Sequence, residues 1–502
     1  MSHELIAAVD LGSNSFRLQV GRVVGDQIYP LDSLKEAVRL AQGLTAQKTL
    51  DGPSQLRALD ALRRFGERLR GFDASAVRAV GTNSLRVAKN SPQFLVEAEA
   101  ALGFPIEIIA GREEARLIYV GVAHTLPEPG KQQLVVDIGG GSTEFIIGKS
   151  FEPIVLESLY MGCVSYSLQF FPKGRFDKKS LREAELAARK EIQTIGRQFR
   201  KAGWEAAVGS SGTAKAICDM IELAGHGDGS ITREGMDLLK ARLLKAGDLT
   251  TADLPGLRPD RVPVLPGGLA IMSAVFEEFS LERMSFSEGA LRLGVLYDLL
   301  GRYHHHDLRD ATVKNFVRRY EVDRKQSQRV AEAALTFLRQ ISSVAVDDDH
   351  PDVRCLDWAA RLYEVGVSIA HSSYHKHSAY ILANADMPGF SRMDQARLAR
   401  VVLAHRGKLQ RLQPVPPDSP DWVLIFSLRL AALVHRARDD AGLPPLQIQR
   451  TSKGFQVTAD EQWLESSPLT AAALHEETRQ WASVGKELRI KTSRLREGSD
   501  AS

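Results

Sequence analysis

Leu5–Val9 is an unbroken apolar run between polar residues, the pattern of a buried strand. Phe16–Val24 alternates as a half-buried strand does, and Gln27–Ser33 can return beside it as a third. Pro53–Leu69 places Leu56, Leu59, Leu62, Phe65 and Leu69 at helical spacing. Val77–Val80 reads as a short buried strand. Ser91 as N-cap with Pro92 in the first helical position opens a helix. Ile106–Ile109 predicts a strand and Glu113–Val122 a helix, so the order is βββαβαβα.

The pattern then restarts. Gln133–Val136, Thr143–Gly148 and Ile154–Leu159 read as strands, followed by a long charged helix over Ser180–Lys201 and a strand at Ala206–Val208. Arg283–Phe286 and Gly289–Leu300 predict a last strand and helix. Two successive βββ-plus-α/β units make an internal repeat, and a repeat outranks any local assignment. Asp10-Leu-Gly and Asp137-Ile-Gly hold the same place in each copy, 127 residues apart.

Beyond residue 303 the composition shifts, with ten of the 13 histidines. Asp310–Val344, Asp357–His371, Gln395–His405 and Trp422–Arg438 predict helices. Leu446–Val457 predicts a hairpin around Ser452-Lys-Gly, Pro468–Val484 a helix and Leu488–Thr492 a strand, before a polar tail. The domains expected are 1–125, 126–302, 303–441 and 442–502.

Composition narrows the class. The 502 residues are too many for one core. No run of about 18 apolar residues exists, so no stable membrane insertion is expected. The N-terminal apolar stretch is too short for a signal peptide. The three cysteines, Cys163, Cys218 and Cys355, form no CxxC pair, which excludes a disulfide framework and a zinc ribbon. Lys and Arg number 65 against 62 Asp and Glu, and a net charge of +3 argues against a nucleic-acid partner. A reduced cytoplasmic protein is expected.

The candidate chemistry lies in glycine-rich loops. Asp10-Leu-Gly12-Ser13-Asn14-Ser15 and Asp137-Ile-Gly139-Gly140-Gly141-Ser142 each follow an apolar strand. Glycine permits close backbone approach, and successive N–H groups with hydroxyls form an anion-binding concavity. One such loop is ordinarily a plain turn. Two at equivalent positions of a repeat would grip a phosphate from both sides. Neither a Walker loop nor a dinucleotide fingerprint is present. Gly209-Ser-Ser211-Gly212-Thr213 is a third polar turn before a helical stretch. Thr82-Asn83-Ser-Leu-Arg86 follows a strand, and Arg86 could clamp phosphate oxygens or simply face solvent. Glu113 and Glu114 open a helix, where acids are common for dipole reasons.

The runs AAVDLGSNSFRL, VGTNSLR, GREEARLIYVGV, VVDIGGGSTEF, MGCVSYS, GSSGTAKA, SEGALRLGVLYD and HSSYHKHSAYILANADMPGF together resemble the exopolyphosphatase / guanosine pentaphosphate phosphohydrolase family. That family lies within the superfamily of actin, sugar kinases and heat-shock chaperone ATPases. The resemblance covers nearly the whole chain and is to the long bacterial exopolyphosphatases. It implies an α/β fold of two duplicated actin-like (ribonuclease H-like) domains, then an all-helical HD-like domain and a small α+β end. It implies processive release of terminal phosphate from inorganic polyphosphate, with Mg²⁺ or another divalent cation and often K⁺, in a homodimer.

By motif, Glu114 matches the proposed catalytic glutamate, and Asp137 and Glu144 match acids near the metal and the water. Asp10, Gly12, Ser13, Asn14 and Ser15 match the first phosphate loop, and Gly139, Gly140, Gly141 and Ser142 the second. Asn83, Arg86, Ser211, Gly212 and Thr213 match further phosphate contacts. In the HD-like region Tyr363-Glu364 stands in place of the His-Asp pair, so a second metal centre is not expected. His371, His375, His377 and His405 remain there as polar structural or anion-binding residues, and His304–His306 reads as a hinge. Arg189, Lys190, Arg197, Arg200 and Lys201, together with His405, Arg406, Lys408 and Arg411, are read as basic tracks for a polyanion. The alternatives are guanosine pentaphosphate hydrolysis, an ATP-dependent kinase or chaperone, and a non-enzymatic polyphosphate sensor.

Overall fold

The computed structural model describes residues 4–25, 27–126, 130–225, 229–249, 256–303, 307–342, 347–348, 350–412, 415–439 and 443–493. The His304–His306 hinge reading and the polar tail lie outside them. The chain divides into two units, Met1–Leu308 and Arg309–Ser502.

The first unit begins with β1 (Leu5–Leu11), β2 (Phe16–Val24) and β3 (Gln27–Glu36), then α1 (Gly52–Arg68), β4 (Val77–Gly81), α2 (Asn83–Val87), α3 (Ser91–Leu102), β5 (Ile106–Ile108) and α4 (Gly111–Ala123). The sheet order is β3-β2-β1-β4-β5, with β1 antiparallel to β2 and parallel to β4. One local assignment moves. Asn90, not Ser91, is the N-cap of α3, and its side-chain amide makes no cap bond because it is engaged with both backbone groups of Leu50.

The second half repeats the plan with β6 (Gln133–Ile138), β7 (Thr143–Lys149), β8 (Glu152–Leu159), α5 (Cys163–Phe170), α6 (Lys178–Ala202), β9 (Ala206–Ser210) and α7 (Ser211–Leu223). It continues through β10 (Ser230–Thr232), α8 (Arg233–Ala246), α9 (Leu265–Glu278), β11 (Arg283–Phe286) and α10 (Leu291–Tyr303). Its sheet order is β10-β11-β9-β6-β7-β8, with β6 parallel to β9. Both Asp-Gly loops therefore leave the carboxyl ends of central strands, where ligands bind in open α/β sheets. α10 starts two residues later than predicted, because Ser287 Oγ accepts from Gly289 N at 3.0 Å and holds a turn there.

A core layer joins the two sheets. It is built from Ile6, Ala8 and Val80 of the first sheet, Val135, Ile146 and Val208 of the second, and α4 and α10 between them. α4 and α10 cross at backbone contact: a Cβ on Gly294 would lie 1.7 Å from Leu117 O, and one on Gly289 2.2 Å from Gly121 O. Only glycine fits such a crossing. Asp298 of α10 accepts from Arg78 at 2.6 Å and from Arg116 at 2.5 Å, and Arg116 also pairs with Glu113 at 2.7 Å. This buried ion network pins the returning helix to α4 and β4.

In the second unit, the single helix predicted over Asp310–Val344 is two, α11 (Leu308–Arg319) and α12 (Arg324–Ile341). Glu321 adopts a φ of 51°, and Asp323 caps the new helix by accepting from Gln326 N at 3.1 Å. Residues 343 and 344 lie outside the described residues. The helix predicted over Asp357–His371 is α13 (Pro351–Leu362), and a 3-10 turn follows at Val365–Ser368. There Gly366 packs against the backbone of Tyr374 and Ser378. α14 (Tyr374–Asn384), α15 (Arg392–Ala404) and α16 (Asp421–Val434) precede β12 (Gln447–Thr451), β13 (Gly454–Asp460), α17 (Glu461–Ser466), α18 (Pro468–Ala482) and β14 (Glu487–Ser493). The predicted hairpin is β12–β13, antiparallel, and β14 joins β13 in parallel. One core runs from Val330 and Leu356 through Phe426 to Phe455 and Trp481, so helices and small sheet share it.

His405 corrects the reading of a basic track. It is buried against Val402 O at 2.5 Å and Tyr374 Oη at 3.2 Å, and burial pushes its imidazole down to about 3. It is uncharged at neutral pH. Arg189 is likewise committed to an ion pair with Glu278 at 2.7 Å.

Candidate functional site

The loops of the first unit converge on a cavity of about 400 Å³. The first and second phosphate loops touch: a Cβ on Gly140 would meet Ser13 Cβ at 3.0 Å and Asn14 N at 3.1 Å. The first loop is held by Ser13, whose carbonyl accepts from Ala41 N at 2.9 Å and whose hydroxyl lies 2.8 Å from Ser84 Oγ. The second is bolted to α5. Gly139 O accepts from Cys163 N at 2.9 Å, Gly140 O accepts from Val164 N at 3.0 Å, and a Cβ on Gly162 would lie 2.3 Å from Gly140 O. In the third loop, Ser211 Oγ and Thr213 Oγ1 each donate to Ile138 O at 3.2 Å.

One face of the cavity is acidic. Asp137 and Glu144 are direct cross-strand partners on β6 and β7. Asp137 Oδ2 lies 2.9 Å from Ser210 Oγ, and Glu144 Oε1 accepts from Ser158 Oγ at 2.8 Å. Glu114, in the first turn of α4, takes 3.2 Å from Arg86 Nη1, which also donates to Ile109 O at 2.8 Å. Removing carboxylates from water disfavours their charge. Burial therefore raises Glu114 to about 7, with Arg86 opposing and Asp10 and Asp137 assisting. Burial raises Asp10 to about 6, against Arg292 and Arg17. Asp137 is raised by burial, and Glu144 well raised by burial and then by the charges of Glu114 and Asp137.

Cations join these carboxylates in the lining. Arg17, Lys35, Lys215, Arg258, Arg261 and Arg292 line the same cavity. Arg17 is lowered to about 10 by burial and by the like charges of Arg292 and Arg261. The Arg261 guanidinium lies over Gly212, where a Cβ would stand 2.0 Å from Nη2. Lys35 reaches Asp260 at 2.7 Å, joining the two halves at the cavity rim.

Of the residues singled out in the sequence, Asp10, Gly12, Ser13, Asn14, Ser15, Glu114, Asp137, Gly139, Gly140, Ser142, Glu144, Ser211 and Gly212 line the cavity. Asn83, Arg86, Gly141 and Thr213 stand behind that lining. Asn83 abuts Gly141, with its Oδ1 2.5 Å from where a Cβ would be. The six cationic side chains were not anticipated. Arg17 had a signal, since it lies 127 positions before Glu144 and so shares its place in the repeat. Lys215 and Arg292 lie in the runs GSSGTAKA and SEGALRLGVLYD but were given no role there, and Lys35, Arg258 and Arg261 come from segments whose position only the tertiary fold reveals.

The residues fit a divalent cation. Asp10 Oδ1 is buried without a hydrogen-bond partner, and it opens on the cavity that Asp137 and Glu144 line. Among the described residues, no group of three or more His, Cys, Asp or Glu forms a protein-only cage. Mg²⁺ rarely uses one: it takes one or two carboxylates, waters and substrate phosphates.

Duplicated units with facing glycine loops, an acidic wall and a basic wall define a phosphate-handling enzyme of the actin-like fold. The chain belongs to the Ppx/GppA phosphatase family: residues 19–303 match that family and residues 308–478 match Ppx/GppA phosphatase, domain III. It is 36% identical, over 96% of its length and 97% of the relative's, to a guanosine-5'-triphosphate,3'-diphosphate pyrophosphatase of Pseudoalteromonas translucida. An exopolyphosphatase structure from Cytophaga hutchinsonii shares the fold at 24% identity and a TM-score of 0.54, covering 59% of this chain and 97% of that one. The Aquifex aeolicus PPX-GPPA enzyme does so at 24% identity and a TM-score of 0.50, covering 58% and 98%. Among the described residues no helix is long and apolar enough to cross a membrane.

Proposed function

We propose that this protein hydrolyses the terminal phosphoanhydride of linear inorganic polyphosphate and releases orthophosphate. The observation that carries the reading is the cavity itself, in which carboxylates with raised pKa share a space of about 400 Å³ with arginines and lysines. Phosphoryl transfer needs positioning and charge neutralisation more than covalent chemistry. Loop N–H groups, Ser13, Ser15 and Ser142 hold the terminal phosphate, and Arg17, Arg258 and Arg261 hold the oxygens of the following ones. Glu114 takes a proton from the attacking water, a role suited to a carboxylate near 7. Asp137 and Glu144, with Asp10, would hold a divalent cation, which supplies charge neutralisation at the phosphate oxygens. Mg²⁺, K⁺ and a cytoplasmic homodimer belong to this reading through the family resemblance.

Guanosine pentaphosphate hydrolysis to the tetraphosphate is the second reading, favoured by the name of the Pseudoalteromonas relative. Both substrates present a terminal phosphoanhydride to the same loops. One preparation assayed on both, with Mg²⁺ and with or without K⁺, decides between them. A higher kcat/KM on long polyphosphate supports the first reading, and the reverse supports the second.

A further inference from the structure

Arg292 has no part in the scheme above. It sits in the first turn of α10 and lines the same cavity as Glu114 and the phosphate loops. Its side chain is half-buried, and its Nε lies out of reach of water with no hydrogen-bond partner. Asp10 Oδ1 is also buried and unpartnered, and the two charges act on each other. The residue lines the cavity, so the rest of its guanidinium fork is free to meet an anion that enters there. Arg292 is also rigidly placed relative to the base. α4 carries Glu114 and α10 carries Arg292, and the two helices meet at Gly121 and Gly294, with Gly289 just ahead of α10, and none of the three has room for a Cβ. Asp298, further along α10, is tied to Arg116 of α4 at 2.5 Å.

We propose that Arg292 is an arginine finger supplied within the chain: its guanidinium contacts the transferring phosphoryl group and neutralises the charge that develops there. The inference rests on the phosphoanhydride reading. In that step the water oxygen bonds to the terminal phosphorus and Glu114 receives the water's proton. The bridging P–O bond breaks, and its electron pair stays on the oxygen that leaves with the shortened chain. The α4–α10 junction fixes the spacing between base and finger, so the site is organised before substrate arrives.

The test is steady-state hydrolysis by the wild-type chain, Arg292→Ala, Arg292→Lys and Glu114→Gln, with and without added guanidinium ion. Arg292→Ala is expected to lower kcat by about 10³-fold while KM changes far less. Arg292→Lys, which keeps the charge without the planar fork, is expected to stay impaired. Guanidinium should restore part of the activity of Arg292→Ala and none to Glu114→Gln, which a structural role would not produce. Near-wild-type kcat in both Arg292 variants, or a change confined to KM, overturns the inference while leaving the hydrolase reading intact. Absence of wild-type hydrolysis on both polyphosphate and guanosine pentaphosphate overturns the reading itself. Arg292→Lys keeps the question decidable if the alanine variant does not fold.

Discussion

Arg17 occupies in the first β-unit the register position that Glu144 occupies in the second: Asp10 pairs across its strands with Arg17, and Asp137 pairs with Glu144. One duplicated position thus carries opposite charges in the lining of a single cavity. The repeat is asymmetric in charge at this position. Replacing Arg17 by Gln removes a charge-assisted contact worth about 1.5–3 kcal/mol. KM for polyphosphate should rise by roughly 10- to 100-fold, with kcat affected less. Titration with increasing salt should weaken the wild type more than this variant, because the variant has one cation fewer to screen.

The acid limb of activity should report Glu114. Its raised value of about 7 means that kcat/KM rises with pH through that region as the base loses its proton. Arg86 is the group that holds Glu114 down. Arg86→Gln should therefore move the acid limb to higher pH, an effect read from kcat/KM profiles of the two proteins.

Stability should run the other way. Asp10 and Glu114 bind protons more tightly folded than unfolded, at about 6 and about 7 against 3.8 and 4.5. Their contribution is fully present below the unfolded values and is lost as pH rises through the folded ones. The ligand-free protein should lose melting temperature between pH 5 and pH 8. Glu114→Gln, which leaves nothing there to ionise, should melt a few degrees higher than wild type at pH 8. Thermal scans without divalent cation, at both pH values, check this.

Gly212 makes room for Arg261. A methyl at Gly212 would stand 2.0 Å from the guanidinium Nη2, so Gly212→Ala must displace Arg261 from the cavity wall. The expected outcome is a raised KM with the melting temperature nearly kept, because the far end of a long side chain yields more easily than backbone. Gly294→Ala meets Leu117 O at 1.7 Å, where only backbone can move. That variant should lose about 1–3 kcal/mol of stability by chemical denaturation.

Much of this was legible in the chain. The strands β2 and β11 match their apolar patterns residue for residue, because alternation over a buried sheet has little freedom. The duplicated Asp-Gly loops pointed to a phosphate cavity because a repeat places equal loops at equal strand ends. The break between α11 and α12 was not legible, since apolar spacing continues across Glu321 and only a left-handed residue followed by the Asp323 cap interrupts it. The basic wall was hidden for another reason. Arg258 and Arg261 are scattered polar residues in the sequence, and only the closing of two sheets around α4 and α10 brings them to the cavity that Glu114 lines. For His405 the sequence offered both a polar structural role and a place in a basic track, and only its ring packed on Tyr374 decides for the first.

The central claim is that Glu114 activates water in this cavity to cleave a terminal phosphoanhydride. The most direct measurement is orthophosphate release from long-chain polyphosphate, at pH 8 with Mg²⁺, by the wild type and Glu114→Gln, alongside polyphosphate binding to each. The account predicts a loss of roughly 10²- to 10⁴-fold in turnover with binding retained. Near-normal release by Glu114→Gln would contradict it.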